Sequence, residues 1–204
     1  MKLNLKAKIL LPIILLIIAG TSVSILLTYN ISKRAVINMA KEHLVDRVDF
    51  TAVRLNDWIG NKIIGIKQIA QYKNIQEATK YWGIREAASA RLADYAKKRA
   101  YLERIFLTDI QGKVLSSSTK AFSDNIDVSK KDYFKKAVKG QVTLTEPFKS
   151  KETGHPVFVV SFPVYLNEII SGTLCAVVDV NWISKKFIKP LNREKSGFAY
   201  IITD

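Results

Sequence analysis

The chain has 204 residues, 48% hydrophobic and 25% charged, a balance that excludes an intrinsically disordered segment. Its 32 Lys and Arg outnumber 18 Asp and Glu, for a formal charge of +14. Such an excess invites nucleic acid. The basic residues are spread along the chain, however, in groups no larger than Lys97-Lys98-Arg99, and no base-reading or RNA-binding signature occurs. Nucleic acid is therefore excluded as a partner, and a solvated basic surface beside an anionic membrane accounts for the charge.

Residues 9–29 carry no charge, and Ile9 to Ile18 is aliphatic apart from Pro12. About 20 apolar residues are what a helix needs to cross a hydrocarbon core of roughly 30 Å. A cleaved signal peptide has a shorter apolar region and a small-residue cleavage site. Here the run is longer and is followed by Thr28-Tyr29-Asn30-Ile31-Ser32-Lys33, so it reads as an uncleaved transmembrane helix in the lipid bilayer. Lys2, Lys6 and Lys8 precede it, which keeps residues 1–8 cytoplasmic and sends residues 30–204 outside the plasma membrane. That outer segment holds all 18 acidic residues and 29 of the 32 basic ones.

A long amphipathic helix is predicted over 30–72. Leu44, Val48, Leu55, Ile59, Ile63, Ile66 and Ala70 recur at steps of three and four on one face. The stripe is longer than one small domain needs, which implies a homodimer contact along it. A second helical stretch covers about 75–100, with Ala78, Tyr81, Trp82, Ala88, Leu92 and Tyr95 as its apolar side and a break at Gly83. Residues 30–100 thus form a helical stalk and connecting helices.

At residue 101 the period changes. Leu102 to Leu107 reads as a strand, Asp109-Ile110-Gln111-Gly112 as a turn, and Lys113 to Ser116 as the returning strand. A short helix is predicted at about 130–139, with Asp127 or Ser129 as N-cap and Gly140 as its stop. Three strands follow, at 142–148, 157–165 and 169–180, and Asn181 then caps a brief helix to Ile188. Strands joined by tight turns run antiparallel, so residues 101–190 form a five-stranded antiparallel sheet with helices covering a face, an α+β domain. Tyr200-Ile201-Ile202-Thr203-Asp204 repeats the pattern of Ile105-Phe106-Leu107-Thr108-Asp109. Residues 191–204 therefore read as a linker and the first strand of a second copy of the same sheet.

Several segments together resemble the double-Cache sensor domains of bacterial methyl-accepting chemotaxis proteins. They are Phe106 to Val114; Asp127 to Gly140, with Lys131-Asp132-Tyr133-Phe134 inside it; Thr145-Glu146-Pro147-Phe148 with Pro156 to Val164; and Lys195 to Tyr200. The resemblance spans about 30–204 and implies an N-terminal fragment of a chemoreceptor, with a PAS-like Cache sheet that binds a small molecule and signals through the membrane. The same outer domain also precedes histidine kinases and diguanylate cyclases, and a membrane-tethered structural protein without ligand is a reading from a different class.

In amino-acid-binding members of that family, an Arg followed by an aromatic pair grips the ligand carboxylate, and an Asp on the last strand takes the amine. The matching positions are Lys131, Tyr133, Phe134 and Asp179, with Phe148 at a further aromatic position. A cation, a carboxylate and aromatic walls suit a small carboxylate or amino acid. Two departures stand out: Lys131 lacks the planar fork of Arg, and Phe148 lacks a hydroxyl. Lys131, beside Lys130, Lys135 and Lys136, also reads as part of a solvated face, and Asp179 also reads as a helix cap. If Asp179 were buried only to meet a ligand, its replacement by Ala would leave the domain as stable or more so. Cys175, the single cysteine, lies in an apolar strand and reads as a small buried hydrophobe. Neither a catalytic triad, nor a phosphate-cradling loop, nor a metal-ligand spacing occurs. The chain is expected to be no enzyme and to need no cofactor.

Overall fold

The computed structural model describes residues 5–119 and 126–190. The chain divides into two compact units, residues 1–50 and residues 51–204. The expected second copy, at 191–204, lies outside the described residues.

A single helix, α1 (Leu5–Ala70), runs through the first unit and into the second. Its N-terminal part exposes Leu15, Leu16, Ile17 and Ile18, among many other apolar side chains. An 18-residue window there has a mean hydropathy of 2.0 and no burial, so this helix is long and apolar enough to cross a membrane. Thr21 Oγ1 donates to the carbonyls of Ile17 and Ile18, at 2.9 and 3.0 Å. The hydroxyl is thereby satisfied inside the helix, as an apolar surrounding requires.

In the second unit the last turns of α1 bury Ile66, Ile69 and Ala70. Two shorter helices follow, α2 (Lys73–Ala78) and α3 (Arg85–Lys97), separated by a 3-10 turn at Trp82–Ile84. The expected apolar stripe fails at this break. Trp82 is 80% exposed and Tyr81 half exposed, while Ile75 is fully buried in their place. Helical periodicity cannot be carried across a turn, because the break resets which side faces the core.

Among the described residues, six strands make one antiparallel sheet: β1 (Leu102–Asp109), β2 (Val114–Ser117), β3 (Thr143–Leu144), β4 (Phe148–Lys149), β5 (Pro156–Leu166) and β6 (Ile169–Asp179). Their spatial order is β2-β1-β6-β5-β3, with β4 also on β5. The strand expected over 142–148 is present as two short pieces, both paired with β5. Pro147 stands between them, and its missing N–H cannot continue a ladder. Asn167 and Glu168, with φ of 52° and 67°, form the two-residue turn between β5 and β6. Positive φ at both central positions matches the right-handed twist of the strands.

The side-chain period of two sends alternate residues to opposite faces. Ile105, Leu107, Val160, Phe162, Leu174 and Ala176 meet α1, α2 and α3 in the larger core. Phe106, Val157, Val159, Cys175 and Val177 meet Val128 and Phe134 on the other side. Phe134 belongs to α4 (Asp132–Ala137), so the long helices cover one face and this short one the other. Being buried on both faces is why 157–160 and 174–178 are continuous apolar runs without alternation.

Lys131, with extended backbone and no side-chain cap bond, is the N-cap of α4. Asp127, expected as the cap unless Ser129 took that place, instead accepts from Ser129 N at 2.7 Å in a turn of its own. That turn is pressed against Gly112, whose carbonyl accepts from Val128 N at 2.9 Å. Gly112 has φ +93°, and a Cβ there would lie 2.5 Å from Ser129 N. Gly154 has φ +71°, and a Cβ there would meet only Lys149 Cε, in ordinary contact at 3.8 Å. Gly154→Ala should therefore cost only the left-handed penalty, about 1–2 kcal/mol, and Gly112→Ala distinctly more. Thermal unfolding of both variants checks this, and equal losses would show that 127–129 yields freely.

Candidate ligand-binding site

The face of the sheet under α4 is where the residues singled out from sequence converge. In register, Phe148 lies opposite Val157, and Val157 opposite Asp179. Directly opposed residues share a face, so Phe148 and Asp179 stand on the same side as Val157. The next row on this face pairs Val159 with Val177, and one row beyond it Ser161 lies opposite Cys175, and Cys175 opposite Phe106. Ser161 Oγ donates to the carbonyl of Tyr133 at 2.9 Å, which seats the first turn of α4 over this row. Tyr133 is partly buried there, and Phe134 is fully buried and holds α4 to the sheet. Lys131, just before the helix, is exposed. Five sequence-derived positions thus lie on or beside one face, with Phe134 packed inward and Lys131 at the rim.

Asp179 caps a short helix, α5 (Val180–Ile183), through Oδ1, which accepts from Asn181 N at 2.7 Å. The cap is Asp179, not Asn181 as the sequence suggested, because the strand ends one residue earlier than 180. Its Oδ2 lies 3.6 Å from His155 Nδ1. The Asp179 side chain is three-quarters buried, and among the described residues no lysine pairs with it.

Sequence reading missed the ionic core of this face. Arg104 is 5% exposed and lies opposite Val177, hence on the α4 side. The register shift between Leu102 and Arg104 is a bulge in which Glu103 is the extra residue. It lets both neighbours turn toward the same cluster, and Arg104 pairs with Glu103 and with Glu152. Ser150 Oγ and Thr153 Oγ1 donate to Glu103 at 2.8 and 2.6 Å. Burial raises the Glu103 carboxyl, but hydrogen bonds from Thr153, Arg104 and Ser150 outweigh it and leave it below its ordinary value. Burial raises the Tyr133 phenol as well, with nearby Arg104 acting the other way. The signal was present in the sequence: two adjacent charges, Glu103 and Arg104, inside an otherwise apolar strand.

Cys175 is fully buried, and burial pushes its thiol up to about 12, so it is an inert packing residue. The opposite face has a shallow apolar cleft lined by Trp58, Ile59, Lys62, Tyr101 and Phe158. It lacks the converging polar groups that fix a small ligand.

The sequence pattern of the Cache domain family matches residues 28–204. This chain belongs to the Cache domain family. A probable methyl-accepting chemotaxis protein of Bacillus thuringiensis subsp. konkukian is 27% identical over 202 residues, 97% of this chain and 30% of that protein. Among solved structures, the sensor domain of the Vibrio cholerae histidine kinase DctB superposes with TM-score 0.63 at 15% identity, over 74% of this chain and 58% of that one. The ligand-binding domain of the Campylobacter jejuni chemoreceptor Tlp3, solved with 4-methylisoleucine, gives 0.61 at 18% identity, over 71% and 60%. The chain therefore spans under a third of the curated relative and about three-fifths of these domains. Within the Cache sheet, the likeness fixes the fold.

The cap changes what Asp179 variants should do. Asp179→Ala should destabilise the Cache sheet domain by about 1 kcal/mol, as loss of an N-cap does, where the sequence suggested a neutral or stabilising change. Asp179→Asn keeps a cap of similar quality and should be close to neutral. Denaturant unfolding of the two variants separates them, and equal stability would remove the capping role.

Proposed function

We propose that this chain is the extracytoplasmic sensing region of a transmembrane chemoreceptor of the methyl-accepting kind, binding a small organic acid or amino acid against the α4 face. The observation that carries it is that strand register sets Asp179 and Phe148 on the side of the sheet where Ser161 holds Tyr133 of α4. Asp179 takes the ligand ammonium through the oxygen that faces His155. Tyr133 and Phe148 exclude water from the pair, and Phe134 anchors the helix that carries Tyr133. Lys131 at the rim attracts the carboxylate. An amino acid in the solved Tlp3 domain supports this ligand class, and the chemotaxis relative supports this output.

The apolar part of α1 crosses the plasma membrane, with residues 1–8 inside and 30–204 outside. Val48 and its exposed neighbours on α1 meet a second copy. A reporter fused after Asp204 should be active only outside the cytoplasm, and cysteines placed along the Leu44 to Leu55 stripe should cross-link in membranes. Cytoplasmic activity of the fusion would overturn the receptor reading.

Binding is tested by calorimetry on the full chain in detergent with a panel of L-amino acids and matched amine-free acids. Asp179→Asn should lose amine-bearing ligands at least about ten-fold, the size of one charge-assisted contact, while remaining folded. Lys131→Ala should weaken carboxylates only about two- to five-fold, since an exposed charge is screened. Cells making the protein should migrate along a gradient of the bound amino acid. Binding without any migratory response would favour the sensor of a histidine kinase or diguanylate cyclase.

A further inference from the structure

The segment between β4 and β5, residues 150–155, does more than turn the chain. Its inner geometry is tight: Ser150 N donates to His155 O at 2.8 Å, and Gly154 N to Ser150 O at 3.0 Å. Ser150 Oγ also accepts from Glu152 N at 3.2 Å. Yet its side chains end on β1. Ser150 and Thr153 reach Glu103, and Glu152 reaches Arg104. The strand order places β6 between β5 and β1. To bridge that gap the loop must cross about 9–10 Å, two strand spacings, over the end of β6 that carries Asp179. His155, at the loop's foot, touches Asp179.

The two carboxylates on Arg104 are not equivalent. The Glu103 side chain is 8% exposed, comes from the same strand and is satisfied by two hydroxyls, whereas that of Glu152 is 44% exposed and comes from the loop. With Glu103 alone the pair is neutral, so Glu152 is a surplus anion on a buried guanidinium. A buried Arg offers a planar, bidentate fork in a low-dielectric setting, which an exposed Lys does not. Arg104 is also the diagonal neighbour of Asp179 across β1 and β6. Such neighbours are about 7–8 Å apart, a separation that side chains of this length can close around the ammonium and carboxylate of one small amino acid.

We propose that Arg104 is the specificity-determining cation that seats the ligand's carboxylate, and that Glu152 occupies it in the unliganded protein as an exchangeable internal anion, latching the 150–155 loop over the site. A ligand carboxylate replaces Glu152 with no change in the cluster's net charge, and the loop is released from Arg104 while Glu103 keeps its hydroxyl contacts. The assignment rests on the α4 face being the ligand site.

The test uses the full chain in detergent, with L-alanine and its carboxylate-free analogue L-alaninamide as probes. Glu152→Gln removes the competing charge; it should bind L-alanine about five-fold tighter, the scale of one half-exposed ion pair, and leave L-alaninamide unchanged. Without any probe, hydrogen exchange at the amides of 151–155 should be faster in Glu152→Gln than in the parent. Removing Arg104 alone strands a buried Glu103, so the paired variant Glu103→Gln with Arg104→Met is used, its fold checked by circular dichroism. It should lose L-alanine at least ten-fold, about the worth of a charge-assisted contact, and keep L-alaninamide. Parent protein that binds L-alanine equally well in all variants, or loop exchange unchanged by Glu152→Gln, overturns this proposal and leaves the site reading standing. A parent that binds neither probe overturns the amino-acid reading and this assignment with it.

Discussion

Strand β6 lies between β1 and β5, and its register with both decides where nearly every other side chain in the domain goes. The even positions Leu174, Ala176 and Val178 join the helical side. The odd positions Cys175 and Val177 join the α4 side, with Asp179 following at the strand end. A slip of one residue would send all of them to the wrong face, burying the Asp179 carboxylate among the helices and lifting Leu174 out of the larger core. Two features guard against such a slip. Thr108 and Thr173, both fully buried, share a hydrogen bond of 2.8 Å across the pair. Gly172 sits where any Cβ would run into the carbonyl of Thr108.

The same strand ties the candidate site to α1. Asp179 ends β6 and caps α5, and α5 carries Trp182. Trp182 stacks on Trp58 of α1 with ring centroids 5.4 Å apart, and Trp58 also meets Tyr101 edge-on at 5.0 Å. The π-helical turn at Ser184–Ile188 adds Phe187 to this cluster at 5.7 Å from Trp58. Such aromatic contacts contribute about 0.5–1.5 kcal/mol beyond area burial. A carboxylate on the α4 face is therefore two packed elements away from a tryptophan on the helix that the proposed function takes to the membrane. A ligand shifts such a connection only by interacting differently with its two arrangements, and the carboxylate of Asp179, with one oxygen capping α5, is a place where that difference can arise.

Glu103 and Arg104 show how an ionic pair is accommodated in a sheet this small. Charges buried without partners cost several kcal/mol. The β-bulge turns both side chains toward the 150–155 loop, whose Ser150 and Thr153 hydroxyls donate to Glu103. An ionic pair of this kind is weak evidence for stability. Its place between apolar neighbours is what the proposed ligand role of Arg104 rests on.

Local composition and period carried much of this structure. The uncharged run at 9–29, the helical step through Ile66 and Ala70, the Asp109 to Gly112 turn and the β5–β6 hairpin all follow from short-range chemistry that any window of ten residues contains. The site candidates came from motif resemblance, and their role in binding belongs to the proposed function. Tertiary structure alone decided the remainder. Tyr81 and Trp82 looked like core residues until a 3-10 turn rotated them outward. Pro147 split a strand that hydropathy drew as continuous. The placing of Arg104 beside Asp179 depends on pairing between residues more than 70 positions apart in sequence, and the Glu152 contact on a loop crossing two strands. Periodicity states which residues share a face of their own element, but register and bulges fix which elements share that face, and those are set by long-range packing that no local pattern encodes.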